Sequence, residues 1–399
     1  MRLPRVNLLV KILIAMALGI GAAYIFPVWL DRIFITFNAI FSQFLGFLIP
    51  LIILGFVAPA ISDIGRGAGK MLVWTALIAY AATVLSGLYS YAVGDTFFPH
   101  LIYPGSLKGI QEGNDLIPFF TVDIPPLMSV MTALVTAFTV GICLSLMKGE
   151  ILKKGFAEFR EIINMTISGA IIPLLPVYIF GIFLNMTVSG QVIGILSAFA
   201  KIIGIIFAMH IALLIMQYCI AALFVRRNPF TLLWTMMPAY FTALGTQSSA
   251  ATIPVTLRQA IKMGVSEDVA GFVIPLCATI HMSGSVMKIV ACALALMIMQ
   301  GHPYDIGMMA GFICMLGISI VAAPGVPGGA IMASLGILGS MLGFSESDQA
   351  LMIALYIAMD SFGTACNVTG DGFIALIIDR FFGHQAPGKA LSGQPAHQP

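Results

Sequence analysis

The sequence predicts an all-α polytopic membrane protein of eight transmembrane helices plus two re-entrant helical hairpins. Three observations carry that expectation. Only 9% of the 399 residues are Lys, Arg, Asp or Glu, against about 25% in a soluble domain. Hydrophobic residues make up 59% of the chain and mean hydropathy is +1.02, an amount of apolar surface that only a bilayer solvates. Two long uncharged stretches are interrupted midway by polar or Pro-Gly residues, so neither can be one unbroken helix. A net charge of +2 leaves no basic field for nucleic acid, which excludes a polynucleotide partner. Cys143, Cys219, Cys277, Cys292, Cys314 and Cys366 lie in apolar runs without a CxxC pair and read as small core residues, not as a disulfide framework or zinc site. The 24 methionines and 28 phenylalanines read as bundle packing, with no cofactor implied.

The first apolar run follows Arg2 and Arg5, reaches Leu30, contains Lys11 and lacks a small-residue cleavage site. It is therefore expected to be a retained span and not a removed signal. Further runs at residues 34 to 61, 71 to 94, 125 to 147, 162 to 189 and 192 to 225 are each near or above the ~20 residues that a crossing requires. Basic residues gather in alternate connections: Arg66 and Lys70, then Lys148, Lys153, Lys154 and Arg160, then Arg226 and Arg227. Those loops are expected on the cytoplasmic side, together with the N-terminus.

Residues 228 to 257 carry no charge but have the polar centre Gly245-Thr246-Gln247-Ser248-Ser249-Ala250-Ala251-Thr252, and both flanks are basic. A segment with two cytoplasmic ends is a re-entrant hairpin, whose non-helical tip is tolerated only where protein or a wet cavity surrounds it. Span seven is expected over 269 to 304, as one helix. Ile306 to Ser345 is again uncharged and broken by Ala323-Pro324-Gly325-Val326-Pro327-Gly328-Gly329; its acidic flanks, Asp305 and Glu346, place this second hairpin on the opposite face. A last helix, about 349 to 382, returns to Arg380 and the cytoplasm, and residues 385–399 read as a disordered tail. Two hairpins entering from opposite faces, each followed by a crossing helix, form an inverted repeat of the kind that places a solute site at the bilayer midplane. Residues 1–225 are thus the scaffold and 226–384 the part that holds cargo.

In the last helix Asp360, Thr364, Asn367 and Asp371 fall on one helical face over roughly 16 Å. Each carboxylate in the membrane costs on the order of 2.5–3.5 kcal/mol on insertion scales, so this stripe calls for a cation, a proton or an ammonium. The bland alternative is a structural ion pair with Lys201 or Lys288. In span seven His281, Ser285 and Lys288 recur at helical spacing; Lys288 reads as a fixed counter-charge, and His281 as either a proton carrier or a core imidazole. His210 reads as a core residue. Ser248 and Ser249 could act as a nucleophile with His281 as base, but the tip lacks a GxSxG elbow, and free backbone N–H groups with hydroxyls at a helix start suit an anion equally well.

Four segments carry a resemblance: Gly245-Thr-Gln-Ser-Ser-Ala-Ala-Thr-Ile-Pro-Val-Thr256, Pro275-Leu-Cys-Ala-Thr-Ile-His-Met-Ser-Gly-Ser285, Gly325-Val-Pro-Gly-Gly329 and Asn367-Val-Thr-Gly-Asp371. In order and spacing the chain resembles the dicarboxylate/amino acid:cation symporter family, the glutamate-transporter homologues. The resemblance implies a homotrimer in a bacterial-type inner membrane, with scaffold domains joined at the centre and transport domains, which spans three and six join, sliding like elevators. It implies that Ser249 with the hairpin backbone at Gln247 and Ser248, together with Asn367, holds a solute carboxylate. Asp360 would hold the ammonium, and Ser285, Gly325, Val326, Gly363 and Thr364 would line the pocket. Asp371 with main-chain oxygens of Cys277, His281 and Asn367 would bind sodium, and a second ion would use oxygens near Thr279, Met282 and residues 320 to 323.

The chain also departs from the family pattern. Gly363 stands where members with acidic substrates have an arginine, which points to a neutral amino acid and leaves room for a larger side chain. The family's Asn-Met-Asp-Gly-Thr is here His281-Met282-Ser283-Gly284-Ser285, and the span-three Thr-Ser pair of the third sodium site falls on Ile78 and Ala79. Fewer coupled sodium ions are expected, with Lys288 replacing a cation or His281 carrying a proton. The expected function is a symporter that couples inward sodium or proton flow to uptake of an amino acid. A dicarboxylate or other organic-anion symporter, an intramembrane hydrolase and a passive channel are the alternatives.

Overall fold

The computed structural model describes residues 8–65, 70–102, 116–190, 192–320 and 328–383. Among them every regular element is helical, with no strand. The first half consists of α1 (Leu8–Ala22), α2 (Val28–Gly65), α3 (Lys70–Leu101), α4 (Val130–Leu146), α5 (Ile151–Thr166), α6 (Ile172–Val188) and α7 (Val192–Val225). A π-turn over Ile167–Ile171 joins α5 and α6 into one continuous rod. Six helical stretches among the described residues are long and apolar enough to cross a bilayer, while α1 and α4 are shorter. The first span ends at Ala22, short of the expected Leu30, because Pro27 starts a new helix and the intervening residues turn, with Phe26 N–H donating to Ala22 O at 2.8 Å.

The second half is built from interrupted helices. The first hairpin is α8 (Pro229–Thr246) and α9 (Ser249–Lys262). Asn228 starts it as an N-cap, accepting from Phe230 N at 2.9 Å ahead of Pro229. The hairpin reverses at Gln247, which sits in the left-handed region at φ 55. The second hairpin is α12 (Ile306–Ile320) and α13 (Gly329–Leu342); Gly328, at φ 78, opens α13 in a conformation that glycine adopts without a Cβ penalty. Gly325 and Val326 lie outside the described residues, as do the 385–399 tail and most of the loop between spans three and four.

Two expected helices prove to be broken. Span seven is α10 (Glu267–Ile280) and α11 (Ser283–Gln300), separated at His281 and Met282; the last helix is α14 (Glu346–Ala358) and α15 (Asp360–Phe382), separated at Met359. Neither break has a Pro or Gly at its centre, so local sequence gave no warning. Tertiary partners make the breaks possible by satisfying the freed backbone groups. Met282 N–H donates to Thr83 Oγ1 at 3.2 Å and Ser86 Oγ donates to Ser283 O at 2.8 Å. At the other break, Tyr356 O and Met359 O keep backbone donors, Met359 N and Gly363 N, each at 3.2 Å, and the Lys288 ammonium adds a contact to both at 3.4 Å.

Packing joins the two halves of the chain, with α11 lying against α3 and α14 against α1 and α6. α2 lies against α4, α5 and α6, while α15 is surrounded by α7, α8, α9, α10 and α11. One core cluster gathers α8–α10 and the C-terminal part of α15 with Ala79 of α3 and Tyr218 and Ala221 of α7. A second, larger cluster runs from α1 and α2 to α11–α14. α11 and α14 are buried along almost their whole length, so helices that would be lipid-facing in a simple bundle are here enclosed on every side.

Candidate solute and ion site

The break in the last helix faces α11. Asp360 is the first residue of α15 and Lys288 lies on α11; the ammonium donates to Asp360 Oδ1 at 3.0 Å, both side chains being buried. The other carboxylate oxygen, Oδ2, accepts from Gly328 N–H at the start of α13, 2.9 Å away. Asp360 therefore joins span seven, the last helix and the second hairpin through one carboxylate. The Lys288 ammonium also sits 3.4 Å from the centre of the Tyr356 ring, a cation–π contact that further offsets its removal from water. Lys201, the other candidate partner, lies on an exposed position of α7.

The expectation of open space at Gly363 is corrected by the same geometry. A Cβ at Gly363 would lie 2.7 Å from Lys288 Nζ and 2.9 Å from Cε. The absence of a side chain on α15 is what admits the lysine from α11, and the gap is already filled.

One turn along α15, Asn367 closes the broken end of span seven. Its Oδ1 accepts from Gly284 N at 2.8 Å and Ser285 N at 3.3 Å, and its Nδ2 donates to Ser285 Oγ at 3.0 Å. Ser285 Oγ in turn lies 3.0 Å from Tyr356 Oη. Thr364, on the same stripe, is buried. The start of α11, with its unpaired N–H groups, is thus met by a side-chain amide in place of a loop, as helix termini require when they are buried.

Further along the stripe, Asp371 Oδ1 accepts from His281 Nδ1 at 3.0 Å. The helix break turns His281 out of register with Ser285 and Lys288, so the three do not form one polar face: His281 serves Asp371 while Lys288 serves Asp360. Among the described residues, Asp371 Oδ2, His281 Nε2, Gln217 Oε1 and Thr369 Oγ1 are buried without a hydrogen-bond partner. A Cβ on Gly370 would meet His281 Cε1 at 2.5 Å and Gln217 Oε1 at 3.0 Å, which places the α7 glutamine beside the imidazole. Tyr218 Oη donates to Thr369 O at 2.8 Å. Cys277 O accepts from His281 N–H at 2.9 Å, and the Thr279 side chain is exposed, donating to Leu276 O at 2.8 Å. Met282 is buried at the break, with its Sδ 3.5 Å from Asn367 Nδ2.

At the first hairpin, Gln247 Nε2 donates to Ser361 Oγ at 2.7 Å, tying the tip to the first turn of α15. Ser248 caps α9 by accepting from Ala251 N at 3.2 Å, and Ser249 opens that helix. Among the described residues His281, the base a hydrolase reading would need, is turned to Asp371 through Nδ1 and not to either hydroxyl. His210 is buried on α7 with Nε2 at 3.2 Å from Gly284 O, so it braces the start of α11. Thr83, Ser86, Gln217, Tyr218, Tyr356 and Ser361 are the neighbours that sequence reasoning missed. Ile78 and Ala79 had been matched to the span-three pair; the hydroxyls that touch the span-seven break come instead from Thr83 and Ser86, one to two turns further along α3. Their spacing on one face of α3 was a signal, although nothing in it names α11 as the partner.

A protein with six helical stretches of membrane-crossing length among the described residues, two interrupted hairpins and buried carboxylates belongs to the class of multi-pass transporters, not enzymes. The chain is a member of the Sodium:dicarboxylate symporter family, whose model matches residues 8–381. It is similar to the serine/threonine transporter SstT of Acinetobacter baumannii, 26% identical over 394 residues that cover 94% of this chain and 97% of the relative. The serine/threonine transporter SstT of Acinetobacter baylyi is 25% identical over 402 residues, 95% of this chain and 98% of the relative. Human excitatory amino acid transporter 2 is 34% identical over 154 residues, which is 38% of this chain and 27% of that protein.

Proposed function

We propose that the protein is a sodium-driven symporter that takes up a small neutral amino acid through a bacterial-type inner membrane, with both termini cytoplasmic. The observation that carries this is the buried stripe Asp360, Asn367 and Asp371 on α15, set between two broken hairpins and a broken span seven. Asp360 holds the solute ammonium, and Asn367 with the Ser248–Ser249 backbone holds its carboxylate, where the start of α9 favours negative charge. Gln247, Ser285, Gly325, Val326, Gly363 and Thr364 line the pocket. Asp371 with main-chain oxygens of Cys277, His281 and Asn367 takes the coupling sodium, with a second position near Thr279 and Met282; the free Asp371 Oδ2 supports that role. A proton carried at this site is the alternative coupling ion. The names of the full-length relatives support serine, threonine or a similar solute.

The proposed assembly is a homotrimer whose scaffold, residues 1–225 without spans three and six, stays fixed while residues 226–384 travel with those two spans. Purified protein in proteoliposomes tests the function: uptake of L-serine or L-alanine driven by an inward sodium gradient is expected, with little competition from L-aspartate or succinate. Uptake unaffected by any ion gradient overturns it. An organic-anion cargo is the second reading, favoured by the positive charge that Lys288 brings beside Gly363; strong competition by succinate selects it.

A further inference from the structure

Lys288 is the least expected group in this core. A lysine with 0% exposure is rare in a protein interior unless it is paired, and its partner here is the carboxylate to which we assign the solute ammonium. The lysine reproduces what a solute ammonium would do. It donates to Asp360 Oδ1 at 3.0 Å, reaches the Tyr356 and Met359 carbonyl oxygens at 3.4 Å, and lies over the Tyr356 ring at 3.4 Å. Gly363 is the position on α15 that makes room for it. With Lys288 in place, Asp360 Oδ2 still accepts from Gly328 N–H of the second hairpin at 2.9 Å. A tethered cation therefore neutralises the acid while the acid keeps hold of the hairpin.

We infer that Lys288 is a built-in competitor of the solute: its ammonium occupies the amino subsite at Asp360 when the solute is absent, so that the empty carrier closes its second hairpin and returns across the membrane without a bound ion in that subsite. The arriving amino acid displaces the lysine from Asp360 and takes over its hydrogen bonds. A buried carboxylate left with no cation would otherwise oppose the empty return step, because moving an unpaired charge through a low-dielectric core is costly. The inference rests on Asp360 being the ammonium subsite, as proposed above.

The test compares net uptake of radiolabelled L-serine into serine-free proteoliposomes with exchange of labelled for unlabelled serine. Only net uptake requires the empty return. In Lys288→Met and in Lys288→Gln, which keeps donors for the two carbonyls and so protects the fold, the ratio of net uptake to exchange is expected to fall at least tenfold. Apparent serine affinity is expected to rise, because the competitor is gone. A ratio unchanged in both variants overturns the inference and makes the pair a purely structural bridge.

Wild-type protein supplies a second readout, independent of folding in the variants. Net uptake into vesicles filled with N-methyl-D-glucamine should match that into potassium-filled vesicles, and a strict need for a small luminal cation overturns the inference. Asp360→Asn separates the two levels: if it leaves serine affinity unchanged, the ammonium subsite itself is misplaced, whatever Lys288 does.

Discussion

Lys288 on α11 and Asp360 at the head of α15 stand 3.0 Å apart, and the residue that allows them to meet is Gly363, one turn along α15. The lysine chain runs through the space where any other residue at 363 would carry its Cβ. The pocket's charge balance is therefore a property of three positions on two helices. A side chain at 363 would push the end of Lys288 out of its present place.

Gly363→Ala and Gly284→Ala should differ in a diagnostic way. At 363 the new methyl meets the flexible end of Lys288, at 2.7 Å from Nζ; at 284 it meets Gly363 O and Cys366 Cβ, each at 2.7 Å. Overpacking typically costs about 1–3 kcal/mol. The expectation is the lower end of that range for Gly363→Ala, with altered serine affinity, and the upper end or beyond for Gly284→Ala, where the neighbours cannot move aside. Thermal unfolding midpoints of the two purified variants check the order.

Asp371→Asn should abolish sodium stimulation of serine binding, while a variant on the far side of α15 should not. The substitution removes the negative charge from the group that faces His281 and whose second oxygen, Oδ2, is buried without a partner among the described residues. The readout is the sodium dependence of thermal stabilisation by serine, since only a ligand that prefers the folded protein raises the midpoint. Retained sodium dependence would exclude Asp371 as a ligand.

Removing the hydroxyls that brace the span-seven break should loosen it. Ser86→Ala leaves Ser283 O without its 2.8 Å donor, and Thr83→Val leaves Met282 N–H without its acceptor. Each buried orphan is expected to cost about 1–3 kcal/mol. Because both groups belong to residues 282 and 283, sodium affinity should fall with stability. Ile78→Thr, at the position suggested by sequence spacing, should alter neither by a comparable amount. Differential scanning fluorimetry with a sodium titration measures both effects.

Gln247→Ala should weaken solute capture more than folding. The amide ties the first hairpin tip to Ser361 at 2.7 Å, and a hydrogen bond of this kind contributes about 1 kcal/mol, or about fivefold in the apparent KM of serine uptake. Ser361→Ala should give a similar change, and the double variant little more, because both remove one bond. Additive effects in the double variant would show that the two side chains act separately.

Much of this molecule was legible in the sequence because the bilayer is an unforgiving solvent. Uncharged runs of span length, basic loops on alternate connections, and a polar or Pro-Gly centre inside an apolar stretch each have few physical solutions. They yielded both hairpins, the reversal around Gln247 and the α15 stripe of Asp360, Thr364, Asn367 and Asp371. The breaks at His281 and Met359 were not legible. No residue there forbids helix; at the first break the backbone departs from it because Thr83, Ser86 and Asn367 arrive from distant positions to meet the groups around it, and at the second Lys288 comes over from α11.

Tertiary structure alone also decided the pairings. Sequence spacing offered Lys288 two acids and offered His281 none in particular, since both residues appeared to share one face of one helix. The break rotates His281 toward Asp371 and leaves Lys288 for Asp360, and Gly363 becomes a passage for the lysine instead of an enlargement of the pocket. Periodicity records which residues share a face of an unbroken helix. Which faces meet, and which cation each buried acid receives, depends on contacts between helices that no local pattern encodes.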